Sequence, residues 1–213
     1  PETTSIISLT APTVTTQSGS STSATTAVLN GNITDTGGEN ANARGFAWGT
    51  GSTLLGGDTA TTTEVGSFGT GAFSTTTLTF VGNTTYYARA WASNSAGTSS
   101  GAVSSGFLTY PNVPGTPTGS AITATTLTLN WSAPTGGAST YKIERCTGSG
   151  CSDFSEIATG VAATSLAQTG LTAATTYRYR VRGTNTTGDG AYATSADITT
   201  SATASTQLAA YRF

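Results

Sequence analysis

The sequence predicts an all-β chain of two tandem β-sandwiches, and three observations carry that prediction. The segment Thr84-Thr85-Tyr86-Tyr87-Ala88-Arg89-Ala90 returns as Thr175-Thr176-Tyr177-Arg178-Tyr179-Arg180-Val181, and the same ungapped offset pairs Asn94 with Asn185 and Gly97 with Gly188. A repeat of about a hundred residues is too long for a solenoid turn and is the usual size of one sandwich domain. Thr is the commonest residue and there are 27 Gly, a composition that favours strands joined by tight turns and disfavours helix. No window sustains a 3.6-residue apolar period, whereas period-two alternation recurs.

In order along the chain, residues 1 to 11 form a tail in which Ser5-Ile6-Ile7-Ser8-Leu9 is strand-forming and puts Ile7 and Leu9 on one face. Pro12-Thr13-Val14 begins the first sandwich, residues 12 to 110. Its run from Ala27 to Thr50 turns at Asp35-Thr36-Gly37-Gly38, and Tyr86 sits six residues after Phe80. The join Tyr110-Pro111-Asn112-Val113-Pro114-Gly115 is short and proline-stiffened. The second sandwich spans residues 111 to 200. Thr126-Leu127-Thr128-Leu129-Asn130-Trp131 alternates with period two, placing Leu127, Leu129 and Trp131 inward. Tyr141, Ile143 and Arg145 share one face of the next strand, with Lys142 and Glu144 on the other. Phe154 and Ile157 mark an edge strand and Leu166 a further one. Tyr177, Tyr179 and Val181 face inward while Arg178, Arg180 and Arg182 point to solvent, and Ala193 to Thr199 form the last of seven strands. The tail 201 to 213 puts Tyr211 and Phe213 on one face and Leu208 on the other.

Pro114 and Pro117 before the first strand of the second unit, Trp131, Tyr141-Lys142-Ile143-Glu144-Arg145 and the Leu171/Tyr177 spacing resemble a fibronectin type III domain of the bacterial extracellular kind. The resemblance covers residues 112 to 200 and implies a tyrosine corner, in which the Tyr177 phenol bonds back to the backbone. Tyr86 holds the matching position in the first unit, which is a divergent copy. Gly31 stands there where Trp131 would be, Leu29 matches Leu129, and Phe46 and Trp48 are placed to supply the missing indole volume. The fold class is therefore two tandem seven-stranded fibronectin type III/Ig-like sandwiches with extra strand-forming terminal tails. The family's integrin-binding Arg-Gly-Asp tripeptide is absent, so that activity is not implied.

Composition narrows the function. With 213 residues and 36% hydrophobic content the chain can bury two modest cores, and no apolar run is long enough to span a membrane. Only 8% of residues are charged, against about 25% in an average globular protein, so solubility must come from hydroxyls, amides or attached sugar. The net charge is −2 with eight cations spread over both halves, which excludes a basic patch for nucleic acid. The chain has no His, the commonest general base and metal ligand. It also lacks a Gly-rich phosphate loop and any spaced carboxylate pair, so neither an enzyme nor a cofactor is expected. The absence of Met, and of a leader ahead of Pro1, predicts a processed, mature polypeptide.

Cys146 and Cys151 enclose Thr147-Gly148-Ser149-Gly150 and read as a structural disulfide closing a loop between strands, which predicts an extracellular setting. A metal site would need more ligands, and a redox motif has two intervening residues where this has four. Asp35 and Glu39 could ligate calcium, but a Gly-rich turn favours Asp for backbone reasons. Arg178, Arg180 and Arg182 with Lys142 and Glu144 form a charged strip, read as a solvated face with cross-strand ion pairs. Tyr87 and Trp91 occupy exposed positions that invite a sugar-stacking reading, but a sugar platform needs several coplanar aromatics, and one strand offering Trp91 reads as an interface or domain contact. Asn32, Asn83, Asn130 and Asn185 each begin an Asn-x-Ser/Thr sequon, so glycans are a possible attachment. The tails decide between the two leading readings. A filament subunit would assemble head to tail with copies of itself, using Ile6, Ile7, Leu9, Leu208, Tyr211 and Phe213 as assembly-strand residues; a spacer or adhesive module of a larger secreted protein would use the tails as linkers.

Overall fold

In a computed structural model, residues 8–54, 60–77 and 80–204 are described. Among them every regular element is a strand, and there is no helix long and apolar enough to cross a membrane. The chain divides into two compact units between Tyr110 and Pro111.

The first unit contains β1 (Thr13–Ser21), β2 (Ala27–Asp35), β3 (Ala41–Gly49), β4 (Ala60–Phe68), β5 (Gly71–Thr77), β6 (Thr85–Asn94), β7 (Gly97–Ser100) and β8 (Phe107–Leu108). One antiparallel sheet has the order β1-β2-β5; the facing sheet runs β4-β3-β6-β7, with β8 also paired to β6. The second unit repeats this plan with β9 (Thr118–Ser120), β10 (Leu127–Asn130), β11 (Thr140–Thr147), β12 (Ser155–Val161), β13 (Ser165–Gln168) and β14 (Thr176–Asn185). Its last strand is broken into β15 (Gly188–Asp189), β16 (Ala193–Thr194) and β17 (Ile198–Thr199). The sheets are β13-β10-β9 and β12-β11-β14-β15, with β16 and β17 also on β14. The two tandem sandwiches predicted from the sequence are therefore present.

Alternation builds each core. On β6 the inward residues are Tyr86, Ala88, Ala90 and Ala92; on β14 they are Tyr177, Tyr179 and Val181. The alanines of β6 leave room for large side chains from the facing sheet. Phe46 and Trp48 are buried as expected, but the space where Trp131 stands in the second unit is closed differently. A Cβ added at Gly31 would lie 2.7 Å from the Ala90 Cβ and 2.9 Å from Phe73 Cζ. Phe73, packed on Phe46 at 5.0 Å between centroids, is the residue that fills the gap, and no period-two apolar alternation around it singles it out.

Both tyrosine corners are built alike. The Tyr86 hydroxyl accepts the Val81 N–H at 3.0 Å, and the Tyr177 hydroxyl accepts the Thr172 N–H at 3.0 Å. A buried threonine completes each corner. Thr109 Oγ1 accepts the Thr84 N–H and donates to the Val81 carbonyl, while Thr200 Oγ1 accepts the Thr175 N–H and donates to the Thr172 carbonyl. Where the last strand is interrupted, a serine stands in for the ladder: Ser104 bonds Ala88 through both its N–H and its hydroxyl, and Ser195 does the same to Tyr179. The repeat offset relates every one of these pairs.

Replacing Tyr177 by Phe leaves the Thr172 N–H without its acceptor in a largely buried site, a loss of about 1–3 kcal/mol. Urea denaturation of Tyr177→Phe should show the second unit destabilised by that amount with the first unit's transition unmoved; an unchanged midpoint would deny the corner any structural role.

Candidate functional site

One side of the first sandwich joins two strand edges. Among the described residues β4 pairs only with β3 and β5 only with β2, so each has one ladder edge unused. Between them lies a cleft of about 360 Å³ lined by Thr62, Thr63, Glu64 and Ser74, with the buried Phe46 and Phe73 side chains at its base. The Arg44 guanidinium sits over the Phe68 ring at 4.0 Å and the Phe73 ring at 5.0 Å, and its Nε pairs with Glu64 at 2.8 Å. The Thr62 hydroxyl accepts the Phe46 N–H at 3.2 Å. The Thr62 carbonyl approaches β3 so closely that a Cβ at Gly45 would lie 2.0 Å from it; only glycine lets β4 sit where it does. The rest of β4 is exposed, Val65 at 81%. An edge of this kind, with apolar rings at its base, can accept another strand.

Of the assembly-strand residues, Ile6, Ile7, Leu208, Tyr211 and Phe213 lie outside the described residues. Leu9 is described: in the single chain it is 44% exposed and belongs to no strand. Next to it, the Thr10 N–H bonds the Gly37 carbonyl at 3.0 Å and the Thr10 carbonyl accepts Asn94 Nδ2 at 2.7 Å. These bonds anchor the chain to the β2–β3 turn, whose Gly37 and Gly38 have φ of 71° and 92° and whose Asp35 carboxylate accepts the Gly37 N–H. Asp35 is thus a turn former. Glu39 accepts from the Ser95 hydroxyl and N–H.

The charged strip of the second unit carries the expected cross-strand ion pairs, and its arginines lie on the outer face half-buried rather than fully solvated. Glu144 stands directly across from Arg180 on β14 and is only 8% exposed. It accepts Arg180 Nε at 2.6 Å and the Tyr192 hydroxyl. Arg180 lies between the Phe154 ring at 4.5 Å and the Tyr192 ring at 4.1 Å, Arg182 covers Tyr192 at 4.5 Å, and Asp189 pairs with both Lys142 and Arg182. Burial pushes the Glu144 carboxyl up, but the Tyr192 hydroxyl and the arginines outweigh it and hold it below its ordinary value. Burial and the bond to Glu144 push the Tyr192 phenol up to about 12. Tyr192 is the residue that sequence reasoning missed; it lies outside the period-two runs.

Cys146 and Cys151 are bonded, with Cα atoms 6.0 Å apart. The enclosed loop is held by Asp197, which accepts the Ser149 hydroxyl and the Gly150 N–H, and by Arg178, which donates to the Cys151 carbonyl at 3.1 Å. Bonds from Ser149 and Gly150 hold the Asp197 carboxyl below its usual range, with Arg178 adding to them. Among the described residues the one cluster of three potential metal ligands is Cys146, Cys151 and Asp153, and both its sulfurs are spent in the disulfide. The sequon residues Asn32, Asn83, Asn130 and Asn185 are all half-buried, and Asn130 Nδ2 already donates to Ser120 and Thr128.

Residues 112–201 match the fibronectin type III domain model. No curated protein matches the sequence. Among solved structures, a two-domain fibronectin type III segment from chicken tenascin is similar over 89% of this chain and 99% of its own length, with 13% identity and a TM-score of 0.50. The FN1–FN3 domains of chicken CNTN1 align over 91% of this chain and 67% of their own, with 15% identity and a TM-score of 0.40. The tenascin likeness supports the tandem fold.

The network sets two pH limits. A carboxyl lowered on folding contributes stability above its ordinary value of 4.5, lost as the pH falls through the folded value; a phenol raised on folding contributes below 10.0, lost as the pH rises through about 12. Melting of the second unit as a function of pH should therefore lose part of its acid limb in Glu144→Gln and part of its alkaline limb in Tyr192→Phe. The disulfide spans a separation of 5 residues, so its removal in a Cys146→Ala/Cys151→Ala variant should cost about 2 kcal/mol of loop-closure entropy while the sandwich stays folded. Intact mass before and after reduction, followed by denaturation, checks both.

Proposed function

We propose that the protein is a non-catalytic structural subunit of an extracellular filament, assembling head to tail by strand addition through a terminal tail. The observation that carries this reading is the cleft between β4 and β5, where two unused ladder edges flank the Phe46 and Phe73 rings. A strand from a neighbouring copy laid there makes main-chain bonds along an edge and turns alternate side chains onto the rings. Ile6 and Ile7 of the amino-terminal tail are the preferred donors because β-branched residues make the better strand, and Tyr211 and Phe213 of the carboxyl-terminal tail come second. Burying two such side chains contributes on the order of 3–6 kcal/mol before ordering costs. A tail-to-edge contact is heterologous and need not close, so it propagates. The disulfide and the low charge suit an extracellular polymer. The fibronectin type III match and the tandem likeness favour the second reading, a spacer or adhesive module of a larger secreted protein.

Negative-stain microscopy of the full chain separates the two. Filaments are expected from the complete chain, and their loss on deleting residues 1–11 with both sandwiches still folded. Val65→Lys places a charge on the open edge at a position exposed enough to leave stability within about 0.5 kcal/mol, and it should suppress polymerisation equally. A chain lacking both tails that still polymerises rules out strand donation; a complete chain that stays monomeric at high concentration leaves the spacer.

A further inference from the structure

The two sandwiches keep the corner tyrosine and the same inward positions on their central strand but differ on its outer face. In the second unit the outer positions Arg178, Arg180 and Arg182 are spent on Glu144, Asp189, Asp197 and the Phe154 and Tyr192 rings. The repeat offset places Tyr87, Arg89 and Trp91 at those positions in the first unit. All three are half-buried rather than exposed, because β3 opposite them carries Gly49, Ala47 and Gly45. Trp91 lies down on Gly45, its Cε2 3.0 Å from where a Cβ would be, and Tyr87 lies on Gly106, its Cε1 and Cζ 3.1 and 3.2 Å from that position. Arg89 stands between the rings in no ion pair among the described residues. Hydroxyls border the row: Thr61 and Thr63 on β4, and Ser100 on β7 opposite Trp91.

We infer that this outer face of β6 binds an acidic polysaccharide, with sugar rings stacked on Trp91 and Tyr87 and a uronate carboxylate paired to Arg89. A pyranose ring presents C–H bonds on its faces and hydroxyls at its rim. It therefore suits an aromatic ring packed on glycine and bordered by Ser and Thr; Tyr, Trp and Arg also serve protein interfaces, and the hydroxyl border with Arg89 in no ion pair among the described residues is what selects the sugar acid. The guanidinium fork matches a carboxylate through two parallel bonds, and no acid of the described sheet competes for it. The face lies on the outside of the β4-β3-β6-β7 sheet, and Gly45 and Thr63 belong both to it and to the lining of the cleft.

The test is titration of the full chain with polygalacturonate, followed by tryptophan fluorescence. Trp48 and Trp131 are each 6% exposed, so a change in emission reports Trp91. Saturable perturbation is expected, weakened by added salt, at least tenfold weaker in Arg89→Gln, and weaker for neutral dextran than for polygalacturonate. In affinity electrophoresis Trp91→Phe should retain part of the retardation and Tyr87→Ser should lose most of it, each with an unchanged melting temperature. Two outcomes overturn the inference: polygalacturonate that leaves the emission unaltered, or Arg89→Gln and Tyr87→Ser variants that bind as the parent does. A third also does so, in which the variants change only self-association in light scattering, since that makes the row a contact between protein copies.

Discussion

Each sandwich depends on satisfying the backbone of its central strand, β6 or β14, with very few charged groups. That strand pairs with a long neighbour on one side and with an interrupted one on the other, so some of its N–H and carbonyl groups would be left open where the last strand breaks. Hydroxyls close them. Ser104 and Ser195 replace the missing ladder bonds, Tyr86 and Tyr177 tie the preceding loop, and Thr109 and Thr200 lock the loop to the last strand. An unsatisfied buried peptide group costs more than a satisfied one contributes, which explains why these particular hydroxyls recur at one offset while much else in the two units has diverged.

With the inner face held this way, the outer face is free to vary. The second unit uses it to stack arginines between aromatic rings around a nearly buried glutamate whose two oxygens accept from Arg180 and Tyr192. The first unit has no acid across from its arginine and carries glycine and alanine instead, so its rings lie flat on the neighbouring strand. One duplicated scaffold thus presents a self-neutralised face and an open one.

The open seam follows from a similar economy of side chains. Gly45 admits the Thr62 carbonyl and so lets β4 close on β3, and Gly31 admits Phe73, which packs on Phe46 beneath the seam. Ordinary sandwiches shield such edges with charge or proline. Here a single Arg44–Glu64 pair lies across the opening.

The all-β class, the duplication, the strands of the second unit and the corner tyrosines were legible in the sequence, because period-two alternation and a repeated motif are local signals that survive without knowledge of what packs on them. The first unit was less legible: its core uses alanine on β6 and takes its bulk from Phe73 on a strand made mostly of Thr, Ser and Ala, so volume complementarity rather than pattern identifies the partner. Thr10, beside Leu9, is tied to Gly37 and Asn94 by bonds that no local pattern announces. Arg178, Arg180 and Arg182 were correctly placed outside, but their partners Tyr192, Asp189 and Asp197 lie on irregular or broken segments with no period to read. Sequence alone determined which residues alternate and which repeat; only the tertiary structure decided which of them meet, since contacts between sheets and across a strand edge join residues whose separation along the chain carries no signal.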